Sequence, residues 1–313
     1  MKTIIKKLIA LIITLFIVSL LAFVAFSIIP GDPTTRMLGT EATPEAVAAL
    51  RAQLGLDQPV LIRYFNWVTS FIRGDFGSSY TYGLSVSEML SDKLPITAML
   101  VFLSFIITVI FSIPLGILAG NVRNSVIDKL VIAVDQVVMS VPAFFIGVLI
   151  CYIFGLILKL FVPGNFVSPQ TSMSGCLLYL LFPAFAIAIP RIAMTVKMLR
   201  GSILNEMGQD YVRTALSRGN TRATALRNHV LRNALIPVIT FLAISMAEIV
   251  TSSIIIEQVF TVPGIGRLLL ASINNRDFPV VQAIVVMLAA WIVTVNFVAD
   301  LLNQLVDPRM RLR

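Results

Sequence analysis

LIALIITLFIVSLLAFVAFSII, residues 8–29, runs without a single charged side chain. At about 1.5 Å of rise per residue it makes a helix of roughly 33 Å, enough to cross a hydrocarbon core of about 30 Å. Lys2, Lys6 and Lys7 precede it, as in a secretory leader. The apolar run, however, outlasts the roughly 7–15 residues usual for a leader, and no A-x-A cleavage site follows. A retained first membrane helix is expected. Pro30, Gly31, Asp32 and Pro33 should end it, because paired prolines beside glycine cannot continue the hydrogen-bond ladder.

Five further apolar stretches follow, at about 96–120, 131–158, 177–198, 235–256 and 280–305. The composition agrees with six spans: 58% of residues are hydrophobic and 13% charged, where soluble domains hold about 45–50% and about 25%. The expected fold class is an all-α polytopic membrane protein of about six transmembrane helices. Residues 30–94 mix charge, glycine and aromatics. Their short helix signals, Thr43-Pro44-Glu45 and then Ala46 to Leu54, predict a folded external segment rather than a linker. The organisation expected is 1–29 for the N-terminal segment and first helix, 30–94 for the external loop, 95–305 for the membrane core with a cytoplasmic loop at 198–234, and 306–313 for a cytoplasmic tail.

The formal charge of +8 raises the question of nucleic acid, but most Lys and Arg lie in short loops, where they act as topology signals. No nucleic-acid partner is expected; the lipid bilayer is. With the N-terminus in the cytoplasm, fifteen of the 24 basic residues fall on the cytoplasmic side and eight on the other, leaving Arg191 inside a span. Both termini are therefore expected in the cytoplasm. Cys151 and Cys176 show no zinc spacing, and His229 is the only histidine, so neither a metal site nor a resident cofactor is expected. A catalytic role lacks residues too: there is no HExxH and no Ser/His pair within the spans.

The longest cytoplasmic connection reads as two short amphipathic helices. Val212, Ala215 and Leu216 share one face, Gly219-Asn220 interrupts, Ala223, Leu226 and Val230 make a second stripe, and Pro237 marks the entry to the fifth span. Helices this short are marginal in water alone and need a surface to lie on, either lipid headgroups or a protein partner.

Asp210-Tyr211-Val212-Arg213-Thr214-Ala215-Leu216-Ser217-Arg218-Gly219, with His229-Val230-Leu231-Arg232-Asn233-Ala234-Leu235-Ile236-Pro237 after it, closely resembles the coupling loop of the dipeptide, oligopeptide and nickel permeases of ATP-binding cassette importers. Arg213 and Thr214 stand where the general permease motif has Glu and Ala, a departure similar to that of the peptide and nickel branch. Further landmarks of that family's first permease occur in order, among them Leu54-Gly55-Leu56-Asp57-Gln58-Pro59, Gly74-Asp75-Phe76-Gly77, Glu257-Gln258-Val259-Phe260, Pro263-Gly264-Ile265-Gly266-Arg267 and Asn275-Arg276-Asp277-Phe278-Pro279.

The resemblance implies a type I importer permease fold in the inner membrane of a bacterial cell. It also implies a second homologous permease, two cytoplasmic ATPases that bind ATP and Mg, and an external substrate-binding protein. On it, Asp210, Tyr211, Val212, Arg213, Thr214, Ala215, Leu216, Arg218 and Gly219 are ATPase-coupling residues, with Ala215 and Gly219 as the small pair that lets backbones approach. The chain itself has no G-x-x-x-x-G-K-[ST] phosphate loop. Charges inside spans are costly, which makes Arg191 and Glu248 candidates for a substrate pathway, while Asp135, Glu257 and Asp300 lie nearer span ends. Met139, Phe144 and Phe145 around Pro142 could line a gate. A peptide suits an Arg/Glu pathway; the alternatives are nickel or a nickel chelate in the same family and, more remotely, a self-sufficient channel.

Overall fold

A computed structural model describes residues 2–28, 34, 38, 43–53, 55–122 and 125–306. The proline-rich stop at 30–33 and the tail beyond residue 306 lie outside the described residues. The described elements are helical: α1 (Lys2–Ile28), α2 (Pro44–Gln53), α3 (Val60–Ile72), α4 (Val86–Ser91), α5 (Leu94–Asn121), α6 (Val126–Ser140) and α7 (Ala143–Ile150), which a π-helical turn (Cys151–Ile157) extends. They continue with α8 (Met173–Glu206), α9 (Asp210–Ser217), α10 (Arg222–Ala225), a second π turn (Leu226–Val230), α11 (Leu231–Val259), α12 (Ile265–Asn274) and α13 (Phe278–Val306). Five helical stretches are long and apolar enough to cross a membrane, and a sixth span follows if α6 and α7 with its π turn are counted as one.

That sixth span departs from the single helix expected over 131–158. α6 and the α7 segment meet at 99°, because Val141 is held extended (φ −97°, ψ 124°) ahead of Pro142. The proline ring disfavours the helical region for the residue before it. Pro237, expected to mark the entry to the fifth span, lies inside α11, in a helical stretch that runs from Arg222 to Val259.

The chain divides into two compact units, residues 1–96 with 263–293 and residues 97–262 with 294–313. In the first, α3 packs on α1 through Tyr64, whose ring meets Phe16 at 5.9 Å and Phe23 at 5.4 Å edge-on. A tight turn closes with the bridge between Ser78 and Ser85 and is clipped to residue 277. Ser79 Oγ donates to Asp277 Oδ2 at 2.5 Å, and the Tyr80 backbone N–H donates to Oδ1 at 2.9 Å. The carboxylate is fully buried, and these two bonds offset its desolvation.

In the second unit α8 packs on α6, α7 and α11. α5 presents Ser104, Thr108, Ser112, Gly116 and Gly120 at four-residue intervals. The glycines are dictated by proximity: a Cβ on Gly116 would sit 2.7 Å from Leu199 Cδ2, and one on Gly120 2.7 Å from Ile203 Cγ2. This is the close small-residue packing by which membrane helices associate. Leu199 and Ile203 continue into a buried cluster with Val212, Leu226, Val230 and Ala234, so the core of the membrane unit extends into the connection between α8 and α11.

Candidate functional site

The connection begins where α8 ends. Met207 N–H reaches Ile203 O at 2.9 Å, and Gln209 turns extended before α9. Asp210 in the first turn of α9 is favourable to the helix dipole. Its pair with Arg213 at 3.6 Å is largely solvent-exposed and adds little. Tyr211 ties α9 to both flanking helices: its hydroxyl donates to Glu206 Oε2 at 2.6 Å and accepts from Asn233 Nδ2 at 3.4 Å. Burial, and then the Glu206 carboxylate, push the Tyr211 phenol above its ordinary pKa, so the hydroxyl remains a donor at neutral pH.

α9 stops by a Schellman motif. Gly219 N–H donates to Leu216 O at 3.0 Å and Asn220 N–H to Ala215 O at 3.3 Å, with Gly219 left-handed at φ +88°. Thr221 then caps the next helix, its Oγ1 accepting from Thr224 N–H at 3.2 Å.

Of the expected inward stripe, Val212 and Ala215 are buried and Leu216 is 40% exposed. In the following segment Ala225 replaces Ala223 on the buried face, Ala223 being exposed. Leu226 and Val230, at the two ends of the π turn, are buried as expected. Asp210, Tyr211, Arg213, Thr214, Leu216, Arg218 and Gly219 form an exposed crest. Beside it lies a cleft of about 370 Å³ lined by Tyr211, Thr214, Ala215, Arg218, Asn220 and His229.

The small pair thus splits in two. Ala215 is buried and lines the cleft, whereas Gly219 is exposed and left-handed, the space around its missing Cβ being open.

Within the spans, Arg191 on α8 and Glu248 on α11 meet as a hydrogen-bonded ion pair, Nη1 to Oε2, with side-chain exposures of 17% and 50%. Half of the carboxylate thus faces outward from the unit. The other candidates are placed apart from this pair. Glu257 is fully buried and accepts from Thr97 Oγ1 at 2.5 Å. Asp135 is buried on α6 in the field of Lys197 and Arg200, and Asp300 is exposed on α13. Phe144 and Phe145 flank the Pro142 bend and are each 47% exposed. Cys176 is buried, and both cysteines are free. Among the described residues no group of three His, Cys, Asp or Glu is placed to hold a metal.

One functional-looking contact escaped the sequence reading. Arg200, counted as a loop charge, lies on α8 and grips Asp128 at the start of α6 with two bonds, Nε–Oδ1 at 2.6 Å and Nη2–Oδ2 at 2.9 Å. The available signal was Ser125-x-x-Asp128, a helix-start pattern in which Ser125 Oγ accepts from Asp128 N–H at 3.1 Å.

Comparison with known proteins gives this geometry a setting. Residues 112–312 match the family described as "Binding-protein-dependent transport system inner membrane component". Residues 1–101 match "Binding-prot-dependent transport system membrane comp, N-term". The chain is 32% identical over 308 residues to the "Probable peptide ABC transporter permease protein" of Sinorhizobium fredii, covering 98% of each chain. It is 33% identical over 308 residues to the "Glutathione transport system permease protein" of Salmonella typhimurium, again over 98% of each. With both family models matched in order and nearly every residue aligned to such relatives, the chain belongs to the binding-protein-dependent transport system inner membrane components, as a multi-pass permease subunit and not as an enzyme.

Proposed function

We propose that this permease moves di- and oligopeptides inward, glutathione-sized molecules included, and that Arg191 and Glu248 lie on their path. The observation that carries the reading is the ion pair itself. It joins one guanidinium and one half-exposed carboxylate at mid-span, the charge pair complementary to a zwitterion bearing one carboxylate and one amine. The relatives' names point to the same substrate class. Imidazole, the ligand expected to meet nickel, occurs only as His229 in the α8–α11 connection. A self-sufficient channel is set aside by membership of a family that works with a binding protein.

The partners that follow are a second homologous permease, two ATPases holding ATP and Mg, and an external binding protein. The exposed crest of α9 docks an ATPase on the cytoplasmic side, where both termini also lie. Motion of the ATPases reaches the spans through Val212, Leu226 and Val230, which share a buried cluster with Leu199 and Ile203. Packed interiors transmit displacement because they are not freely deformable. The test is uptake of labelled peptide into proteoliposomes holding the whole complex with its binding protein. ATP-dependent uptake is expected; ATP-independent flux, or nickel-chelate uptake without peptide uptake, would overturn the reading. Labelling Thr214→Cys from the cytoplasmic face of sealed vesicles checks the sidedness.

A further inference from the structure

We infer that α3, expected with all of residues 30–94 to lie outside the bilayer, is a half-inserted helix whose outward face meets the acyl chains of one leaflet. The first observation is depth. The Tyr64 hydroxyl is hydrogen-bonded to Ser19 Oγ at 2.8 Å and lies 3.4 Å from Phe16 O. Ser19 is nine residues short of the end of α1, about 14 Å along the helix at 1.5 Å per residue. That is close to half of a hydrocarbon core of roughly 30 Å. Tyr64 is 2% exposed, and Trp67 continues the contact toward the end of α1, 5.8 Å from Phe23.

The second observation is that α3 has more apolar surface than α1 can cover. Val60, Tyr64, Trp67 and Phe71 form one helical stripe, and Tyr64 and Trp67 on it meet α1. Leu61, Phe65, Val68 and Ile72 form a neighbouring stripe, on which Leu61 is 68%, Phe65 59% and Ile72 78% exposed. It continues the exposed apolar surface of α1, where Phe16, Ile17 and Leu21 are likewise outward. Such a stripe would be an association liability in water.

The polar groups of α3 are consistent with lipid. It carries no acidic residue, and its one charge, Arg63, lies over the Phe23 ring at 6.0 Å, with a stem long enough to reach the headgroups. Thr69 turns its hydroxyl back onto the backbone, to Phe65 O at 2.9 Å and Asn66 O at 2.8 Å. The Tyr64 hydroxyl, costly if orphaned in hydrocarbon, has Ser19. α2, by contrast, carries Glu45 and Arg51 in ten residues.

The test places spin labels on the complete complex in lipid nanodiscs, with Cys151 and Cys176 replaced by alanine. The label sites are Phe65→Cys and Leu61→Cys, with Glu45→Cys as the aqueous reference. At Phe65 and Leu61 oxygen should relax the label strongly and a water-soluble nickel chelate weakly, with the order inverted at Glu45. A second, label-free measurement compares the complex carrying Trp291→Phe with one carrying Trp67→Phe as well, so that the difference in emission isolates Trp67. Its emission should be lost to bilayer lipids brominated along the acyl chain and kept against aqueous iodide. If Phe65 and Leu61 respond like Glu45, α3 is an external helix and the inference is wrong. If both sites are shielded from oxygen and chelate alike, and the Trp67 emission is kept against brominated lipid, the stripe is covered by the second permease, and the inference is equally wrong.

Discussion

α8 carries two arginines nine residues apart, each paired with a carboxylate on another helix, and the two pairs differ in kind. Arg200 holds Asp128 with two well-formed bonds, and the carboxylate is 2% exposed. Arg191 holds Glu248 through one guanidinium nitrogen, and that carboxylate is half exposed. Removing a carboxylate that is buried against two donors leaves the facing guanidinium without its bidentate partner inside the protein. A half-exposed carboxylate can trade its partner for another cation. The first pair is a clamp between α6 and α8; the second, on the function proposed above, is a contact that a charged substrate can enter.

The sharpest way to break this contrast is Asp128→Ala. It should cost about 3–5 kcal/mol of stability, toward the lower end because Arg200 keeps 21% of its side chain in solvent. The complex should lose thermal stability and yield in detergent. Arg191→Ala, which leaves a half-exposed carboxylate, should instead keep assembly and melting nearly unchanged, while peptide uptake falls about tenfold, equivalent to roughly 1.4 kcal/mol. Glu248→Ala, which leaves the Arg191 guanidinium without its partner, should lower uptake as far and melting by less than Asp128→Ala does. The two together should be less than additive, since they share one interaction. If Asp128→Ala spares the fold, or Glu248→Ala unfolds it, the assignment of roles is reversed.

Smaller effects belong to the α9 connection. Gly219→Val forces a β-branched residue into φ +88° and should cost about 1–2 kcal/mol. It should loosen the end of α9, seen as reduced co-purification of the ATPases or as hydrolysis no longer stimulated by substrate. Gly219→Asn, which tolerates left-handed backbone, should retain most function. A partner-contact origin for the glycine would make the two variants equally damaging. Tyr211→Phe removes only a hydroxyl shared with Glu206 and Asn233 and should cost about 0.5–1.5 kcal/mol, read as a modest fall in uptake per ATP hydrolysed at unchanged expression.

The same contrast shows what could be read from residue order. Six apolar runs, the break at Gly219-Asn220 and the isolation of Arg191 and Glu248 as charges in lipid-length segments were all visible, because hydrophobic length and charge cost are local properties. That Arg191 and Glu248 meet each other was open, since contact between distant segments depends on helix packing. The Arg200–Asp128 clamp was hidden for a plainer reason: α8 runs through Glu206, two turns beyond its apolar stretch, so a charge that looked like loop is helix. Residue 215 was legible as part of an inward stripe with Val212 and is buried with it, because a 3.6-residue period is a local property of the sequence. Pro142 marked only the centre of a candidate gate within one span, and the 99° bend there was not foreseen.

The central claim, that the mid-span pair serves substrate and not only the fold, is tested most directly by exchanging its charges. ATP-driven uptake of a labelled peptide should be measured in proteoliposomes of the complete complex carrying Arg191→Glu together with Glu248→Arg. The exchange restores the ion pair and should restore assembly and melting, but it presents each end of a zwitterion with the wrong sign at each position. The account predicts an assembled complex whose uptake remains about tenfold or more below the original, equivalent to at least roughly 1.4 kcal/mol. Full uptake by the exchanged pair would contradict it, because only a structural ion pair is indifferent to which helix carries which charge.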